Sequence, residues 1–174
     1  MPRRLCRIRG MNPAAIQKAE NAGEKRMEVQ EILKNLREKN NLTQEEMASR
    51  VNVTRQAVSR WETGETQPNP ELLKVLSREF NVSINTLLGS PRQLFCQCCG
   101  MPLNEDEMIS RETDGNFNED YCKWCYDDGN FAYKTKDSLL DFMLQHMPNP
   151  ENKSDEERRA FYDSHLSQLK HWKK

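Results

Sequence analysis

The sequence lacks long apolar runs. No stretch of its 174 residues approaches the roughly 18 consecutive apolar residues that a membrane-spanning helix requires, so no membrane partner is expected. The basic start, Met1 to Arg9, lacks the apolar run of a signal peptide, which points to a cytoplasmic location. Net charge is nearly absent: 26 Lys and Arg stand against 27 Asp and Glu, for −1. A chain so close to neutral does not advertise nucleic-acid binding, which would have to rest on local placement of charge. Apolar residues are scarce at 36%, against 30% charged, so two small cores, at least one needing a staple, fit better than one large one. There is no internal repeat and no low-complexity tract. With neither a nucleophile–base pair nor a phosphate loop in view, the sequence does not read as an enzyme.

Six cysteines are present, and in a reducing compartment they are not read as a disulfide framework. Four fall into two C-x-x-C pairs, the arrangement of metal or redox chemistry. Charge is uneven: residues 92–174 carry 16 acidic and 11 basic groups, and residues 1–26 carry 2 and 7. Residues 1–26 show no helical or strand period and read as a disordered basic arm. Alternatively they are not translated natively, because Ala22-Gly23-Glu24-Lys25 can be encoded by a purine-rich stretch resembling a ribosome-binding site ahead of Met27.

Residues 27–89 predict five short helices. The first carries Ile32, Leu33 and Leu36 at helical spacing and ends at Asn40-Asn41. The second opens at Thr43, whose capping box closes with Glu46. The third opens at Val53-Thr54, turns Val58 and Trp61 inward and ends at Gly64, which suits a left-handed position. Asn69-Pro70-Glu71 reads as cap, first-turn proline and dipole-matching acid of a fourth helix with Leu72, Leu73, Leu76 and Phe80 on its core face. Ser83 caps a fifth, bearing Ile84, Leu87 and Leu88. The breaker cluster Gly89-Ser90-Pro91-Arg92 places a linker at 90–94. From Phe95 to about Phe131 apolar positions are too few for a core without a metal. Lys136–His146 and a segment from Ser154 through Phe161, Leu166 and Leu169 read as two closing helices.

Leu42–Val51 and Thr54–Glu62 form two short helices about a tight turn at Asn52-Val53. With Met47, Val51, Val58 and Trp61 inward, the second helix presents Arg55, Gln56, Ser59 and Arg60. Arg pairs bidentately with guanine and Gln with adenine in a major groove, while Gln44 can reach a phosphate together with backbone N–H groups. Such a face is also common on plain solvated helices, and the whole constellation decides between the two readings. Residues 28–88 resemble the lambda-repressor-like (Xre-type) helix-turn-helix family. The matches lie in Leu42-Thr43-Gln44-Glu45-Glu46-Met47-Ala48, in Val53 through Gly64, in Pro68 with Glu71-Leu72-Leu73, and in Leu87-Leu88-Gly89. The resemblance implies Gln44 at the DNA backbone, with Thr54, Arg55, Gln56, Ser59 and Arg60 on phosphates or bases. It also implies a homodimer on a pseudo-palindromic double-stranded operator with half-sites about one helical turn apart.

Cys96-x-x-Cys99-Gly100 and Cys122-x-x-Cys125 are separated by 22 residues. Each pair lets one tight turn aim two sulfurs at one ion, and two such knuckles make a tetrahedral four-sulfur site suited to Zn2+. The intervening Asp114-Gly115 suits a hairpin turn. A Cys96-x-Cys98 ligand pair is the alternative register, but Cys96 and Cys99 repeat the spacing of Cys122 and Cys125. Cys98 is then a spectator or a reactive thiol, and Cys6 is unligated. A closed four-thiolate site leaves no open position for catalysis, so it reads as structural. His146, His165 and His171 read as ordinary surface or helix histidines. Residues 95–172 also resemble the zinc-ribbon domain family, through Phe95-Cys96-Gln97-x-Cys99-Gly100-Met101-Pro102-Leu103, Asn118–Tyr126 and Leu169-Lys170-x-Trp172-Lys173. That resemblance implies zinc but assigns the ribbon no task. Its acid-rich composition suggests a protein partner or effector rather than a second DNA surface.

Taken together, the sequence predicts a mainly α protein. A five-helix helix-turn-helix domain at 27–89 precedes a small zinc ribbon with C-terminal helices at 95–174, and the chain acts as a sequence-specific DNA-binding transcriptional regulator. Two rivals are a zinc- or redox-responsive regulator whose cysteines control DNA binding, and a thiol oxidoreductase using C-x-x-C. The second is weakened by the absence of a surrounding thioredoxin-like βαβ pattern.

Overall fold

The computed structural model describes residues 27–90 and 92–173. The expected arm at 1–26 with its Cys6, and Pro91 of the expected linker, lie outside the described residues. Five helices come first: α1 (Val29–Lys39), α2 (Gln44–Arg50), α3 (Arg55–Thr63), α4 (Pro70–Phe80) and α5 (Ile84–Leu87). The cap residues act as their chemistry dictates. Thr43 and Glu46 form a reciprocal capping box on α2, and Thr54, Asn69 and Ser83 each accept an N–H of the first turn of α3, α4 and α5. Asn41, Asn52 and Asn81 take positive φ at the helix ends, as asparagine tolerates. Gly64 closes α3 at φ 76°. Leu33, Met47, Ala48, Val51, Val58, Trp61, Leu73, Leu76, Phe80 and Leu87 bury together as the first core, with Leu72 partly buried against it.

After residue 92 a small β region follows. A short 3-10 turn at Asp106–Met108 leads into β1 (Ile109–Arg111), which pairs antiparallel with β2 (Phe117–Cys122) around a bulge between Ile109 and Ser110. Gly115 sits in the connecting turn at positive φ, so the Asp114-Gly115 hairpin is present. β3 (Tyr126–Asp127) and β4 (Asn130–Phe131) form a second, two-residue hairpin. Two helices close the chain, α6 (Lys136–His146) and α7 (Asp155–Leu166), the latter with a Ser154–Glu157 capping box. The second core joins Leu94, Met101, Leu103 and Ile109 to Leu139, Leu140, Met143 and Leu166, around five buried cysteines. Leu94, expected in the linker, is part of it. Phe161, expected on the path of the last helix, is 58% exposed. Arg158 is buried and ties the helices together by donating to the carbonyl oxygens of Leu144 and Met147 at 3.0 and 2.9 Å, which satisfies part of the α6 C-terminus. Among the described residues no helix is long and apolar enough to cross a membrane.

One partly buried ion pair anchors α3 to α1. Arg37 donates to both oxygens of Glu62, at 2.5 and 3.1 Å, and to the carbonyl oxygen of Leu42 at 2.9 Å. Burial raises the Glu62 carboxyl, but hydrogen bonds from Arg37 and Gln44 outweigh it and hold the group below its ordinary range. Such a depressed carboxyl stabilises the fold fully above its unfolded value of about 4.3, and the contribution disappears as pH falls through the lower folded value. Arg37→Met, which strands the carboxylate, is expected to cost about 2–3 kcal/mol at pH 7. Urea denaturation of both proteins at pH 7 and pH 3 checks this: the gap between them should shrink at the acid pH.

Candidate functional site

Two sites stand out, one on each core. In the first, α2 packs against α3, and its Ala48 is fully buried, with a carbonyl oxygen that accepts the Val53 N–H at 2.9 Å. The turn between them is short because Asn52 adopts φ 55°. α3 points Val58 and Trp61 into the core and leaves Arg55, Gln56 and Arg60 exposed, with Ser59 half-buried. Arg55 and Gln56 occupy the first two helical positions, immediately after the Thr54 cap. They therefore stand at the end of the helix that leads when a helix enters a groove N-terminus first. Arg60 makes one contact at 3.7 Å with Glu65, both side chains being more than half exposed. Pairs of that kind are worth little, so the guanidinium is available to another anion.

Gln44 opens α2, and its side-chain amide donates to Glu62 at 3.0 Å. The expected backbone-contacting residue is thus tied to the recognition-type helix through the Arg37–Glu62 pair. No motif foretold that link, since Arg37 and Glu62 lie 25 residues apart.

In the second site, Cys96, Cys99, Cys122 and Cys125 are all buried and their sulfurs lie within 4.8 Å of one another. Cys99 and Cys122 are 4.0 Å apart. A tetrahedral zinc with bonds of about 2.3 Å would set sulfur separations near 3.8 Å, so the set fits the ion in size, number and donor type. Without a cation the cluster is electrostatically unfavourable. Hydrogen bonds from Cys122 and Cys125 draw Cys96 far below the ordinary thiol range, while hydrogen bonding with Cys122 and burial push Cys99 well above it. Cys125 is driven up for the same reasons. A divalent ion resolves the conflict by favouring every thiolate at once.

The backbone shapes the first knuckle. The Gly100 N–H donates to the Cys96 carbonyl oxygen at 2.8 Å, with Gly100 at φ 79°. Beside it, Cys98 is fully buried but outside the four-sulfur set, and its carbonyl oxygen accepts the Trp172 indole N–H at 2.7 Å. The second knuckle is fixed where the Lys123 N–H donates to the Met108 carbonyl oxygen at 3.0 Å.

The C-terminal segment clamps this centre. The N–H groups of His171 and Lys170 donate to the Gln97 main-chain and side-chain oxygens, both at 3.2 Å, and Lys170 Nζ meets Asp120 at 2.5 Å. His171 packs on Phe131 with ring centroids 4.2 Å apart, and burial lowers its pKa. His165 lies against Gly100, with its Nε2 buried and unpartnered. His165 is also a helix histidine, in the last turn of α7, whereas His146 is the exposed one, hydrogen-bonded to Phe142 and stacked on its ring. The closing roles of His165 and His171 depend on a fold-back across about seventy residues that no spacing encodes. The terminal Leu169-Lys170-x-Trp172 pattern was their one trace in the sequence.

These features define a DNA-binding-type helix-turn-helix domain followed by a zinc-ribbon domain. Residues 33–87 match the family described as "Helix-turn-helix", and residues 95–173 match the family described as "Putative zinc ribbon domain". The chain thus carries a region that matches each of two domain families, one after the other. Over 63 residues it is 48% identical to the HTH-type transcriptional activator BcrR of Enterococcus faecalis, a span of 36% of this chain and 31% of the relative. Over 62 residues it is 36% identical to antitoxin PezA of Streptococcus pneumoniae serotype 4, covering 36% of this chain and 39% of that protein. The chain thus spans about a third of the length of the curated relatives it matches. Among solved structures it is similar to the P22 c2 repressor in complex with a synthetic operator, at 34% identity, TM-score 0.35, and coverage of 36% of this chain and 94% of that one.

Gly100 offers a direct test of the clamp. An added Cβ would lie 2.4 Å from His165 Nε2, and the positive φ alone costs roughly 1–2 kcal/mol for a side chain. Gly100→Ala is expected to lower the melting temperature of the ribbon, and Gly100→Ala/His165→Ala to recover the steric share but not the backbone share. Equal melting of the single and double variants would show that His165 does not press on the knuckle.

Proposed function

We propose that this protein is a sequence-specific DNA-binding transcriptional regulator with one structural Zn2+ held by Cys96, Cys99, Cys122 and Cys125. The observation that carries the reading is α3: one side is buried by Val58 and Trp61, and the other exposes Arg55, Gln56 and Arg60 at and after its capped N-terminus. Arg55, Gln56, Ser59 and Arg60 read base edges, while Thr54 and Gln44 position the helix on phosphates. The sequence relationship to a named transcriptional activator supports this assignment. On this reading the helix-turn-helix unit spans 27–89 and the ribbon 95–174, joined through residues 90–94, of which Leu94 packs with the ribbon.

The protein acts in the cytoplasm as a homodimer, each copy placing one α3 in a half-site of a pseudo-palindromic operator. Affinity comes from the local group Arg50, Arg55 and Arg60, because the chain as a whole is near neutral. Zinc keeps the acid-rich ribbon folded, leaving its surface for a protein or effector. The closed sulfur set supports a structural ion in preference to a catalytic one.

Selection from random double-stranded DNA, followed by salt titration on the selected duplex, tests the DNA reading. Arg60→Ala is expected to weaken binding to that duplex by about 1–3 kcal/mol with the fold intact. Selected and scrambled duplexes binding alike would overturn the assignment. Metal analysis of protein purified without added zinc should find one equivalent per chain. Cys96→Ser is expected to lose it and Cys98→Ser to keep it, whereas zinc loss from Cys98→Ser with retention in Cys99→Ser would move the ligand set to the alternative register.

A further inference from the structure

The two cores meet at α5, and the contacts there are polar and directed. Ser83 and Asn85 are both buried, and their main-chain N–H groups do not find carbonyl partners of their own domain. The Ser83 N–H donates to Asp106 Oδ2 at 2.9 Å, and the Asn85 N–H donates to Glu119 Oε1 at 2.8 Å. The Thr86 hydroxyl donates to the second oxygen of Asp106 at 2.9 Å. Arg92 bonds Glu119 Oε2 at 3.3 Å, and its main chain is held on both sides by the Asn85 side chain, at 3.0 and 3.3 Å. The start of the last helix of the DNA-binding domain is thus capped by two carboxylates that belong to the ribbon.

Both carboxylates sit on segments that the cysteine centre holds in place. Glu119 lies in β2, the strand that ends in Cys122, and the next residue, Asp120, accepts the Gln97 N–H of the first knuckle at 2.7 Å through its carbonyl oxygen. Asp106 belongs to the 3-10 turn ending at Met108, whose carbonyl oxygen accepts the Lys123 N–H of the second knuckle. Each cap is therefore one short rigid step from a cysteine knuckle. A four-residue helix is too short to hold itself in water, so its placement depends on what satisfies its first turn.

We propose that Asp106 and Glu119 are positioning residues that transmit the metal loading of the ribbon to α5 of the DNA-binding domain. With the ion bound, the knuckles hold both carboxylates against α5. With the ion removed, the β1–β2 segment loosens, the Ser83 and Asn85 N–H groups lose their acceptors, and α5 frays together with Leu87, which belongs to the first core. The coupling is reciprocal by linkage: whatever factor docking of α5 gains from metal, metal retention gains from docking. The inference rests on the proposed zinc reading and goes beyond it, by assigning the ribbon a mechanical hold on the helix-turn-helix unit.

Amide hydrogen exchange on the full chain, zinc-loaded and after treatment with a chelator, tests the proposal. In the wild-type protein, chelation is expected to raise exchange at Ser83 and Asn85 at least tenfold, while the amide of Leu33, deep in the first core, changes far less. In zinc-loaded D106A/E119A, which removes both acceptors, the two amides should already exchange fast and respond little to chelation, and zinc should leave this variant faster than the wild type by a factor similar to the gain in exchange. Unchanged exchange at Ser83 and Asn85 after verified zinc removal would overturn the coupling and leave the zinc site standing. A purified chain containing no zinc would overturn the metal reading and this inference with it, and metal analysis reveals that before any exchange is measured.

Discussion

The four buried cysteine sulfurs are the constraint around which the second half of the molecule is organised. Residues 95–131 offer few apolar side chains, and the strands they form are two to six residues long, too short to be stable alone. What makes a folded unit from them is convergence: two knuckles brought to one point, with α6 and α7 laid over them. The free energy of structural zinc in small domains, about 10–16 kcal/mol, matches or exceeds the entire stability of a typical domain, about 5–15 kcal/mol. With zinc bound as proposed, the ion contributes most of what keeps this half folded. The apolar contacts of Leu139, Leu140, Met143 and Leu166 then select one arrangement of the helices.

The first half follows a different logic. Its helices are short, α2 to α5 each carry a side-chain N-cap, and their apolar faces meet in one continuous core. The Arg37–Glu62 pair is the exception to that apolar economy. A partly buried ion pair contributes little net stability but is costly to leave half-made, so its effect is to define the position of α3 relative to α1 and, through Gln44, relative to α2. A helix that must present side chains to a groove benefits more from a defined position than from added stability. With the net charge near zero, the exposed Arg55 and Arg60 of α3 are a local feature rather than part of a general positive field.

The seam between the halves unites these two schemes. Asp106, Glu119 and Arg92 bridge surfaces that would otherwise be a simple tether, and they do so by satisfying main-chain donors rather than by burying large apolar patches. An interface built this way is specific in geometry and modest in strength, which suits a contact meant to respond to the state of one partner.

Much of this was legible in the chain itself. Caps at Thr43, Thr54, Asn69, Ser83 and Ser154, and the left-handed positions at Asn52 and Gly64, are local chemistry and can be read residue by residue. The inward set Met47, Val51, Val58 and Trp61 follows from helical period, and the four metal-site candidates from C-x-x-C spacing. What the sequence could not disclose are pairings between residues far apart in the chain: Arg37 with Glu62, His165 against Gly100, Trp172 on Cys98, and the ribbon's carboxylates on α5. Periodicity reports which face of an element is buried and spacing reports which sulfurs share a turn, but neither encodes which surfaces meet. That was decided only when the chain folded back and each buried donor had to find an acceptor within about 3 Å.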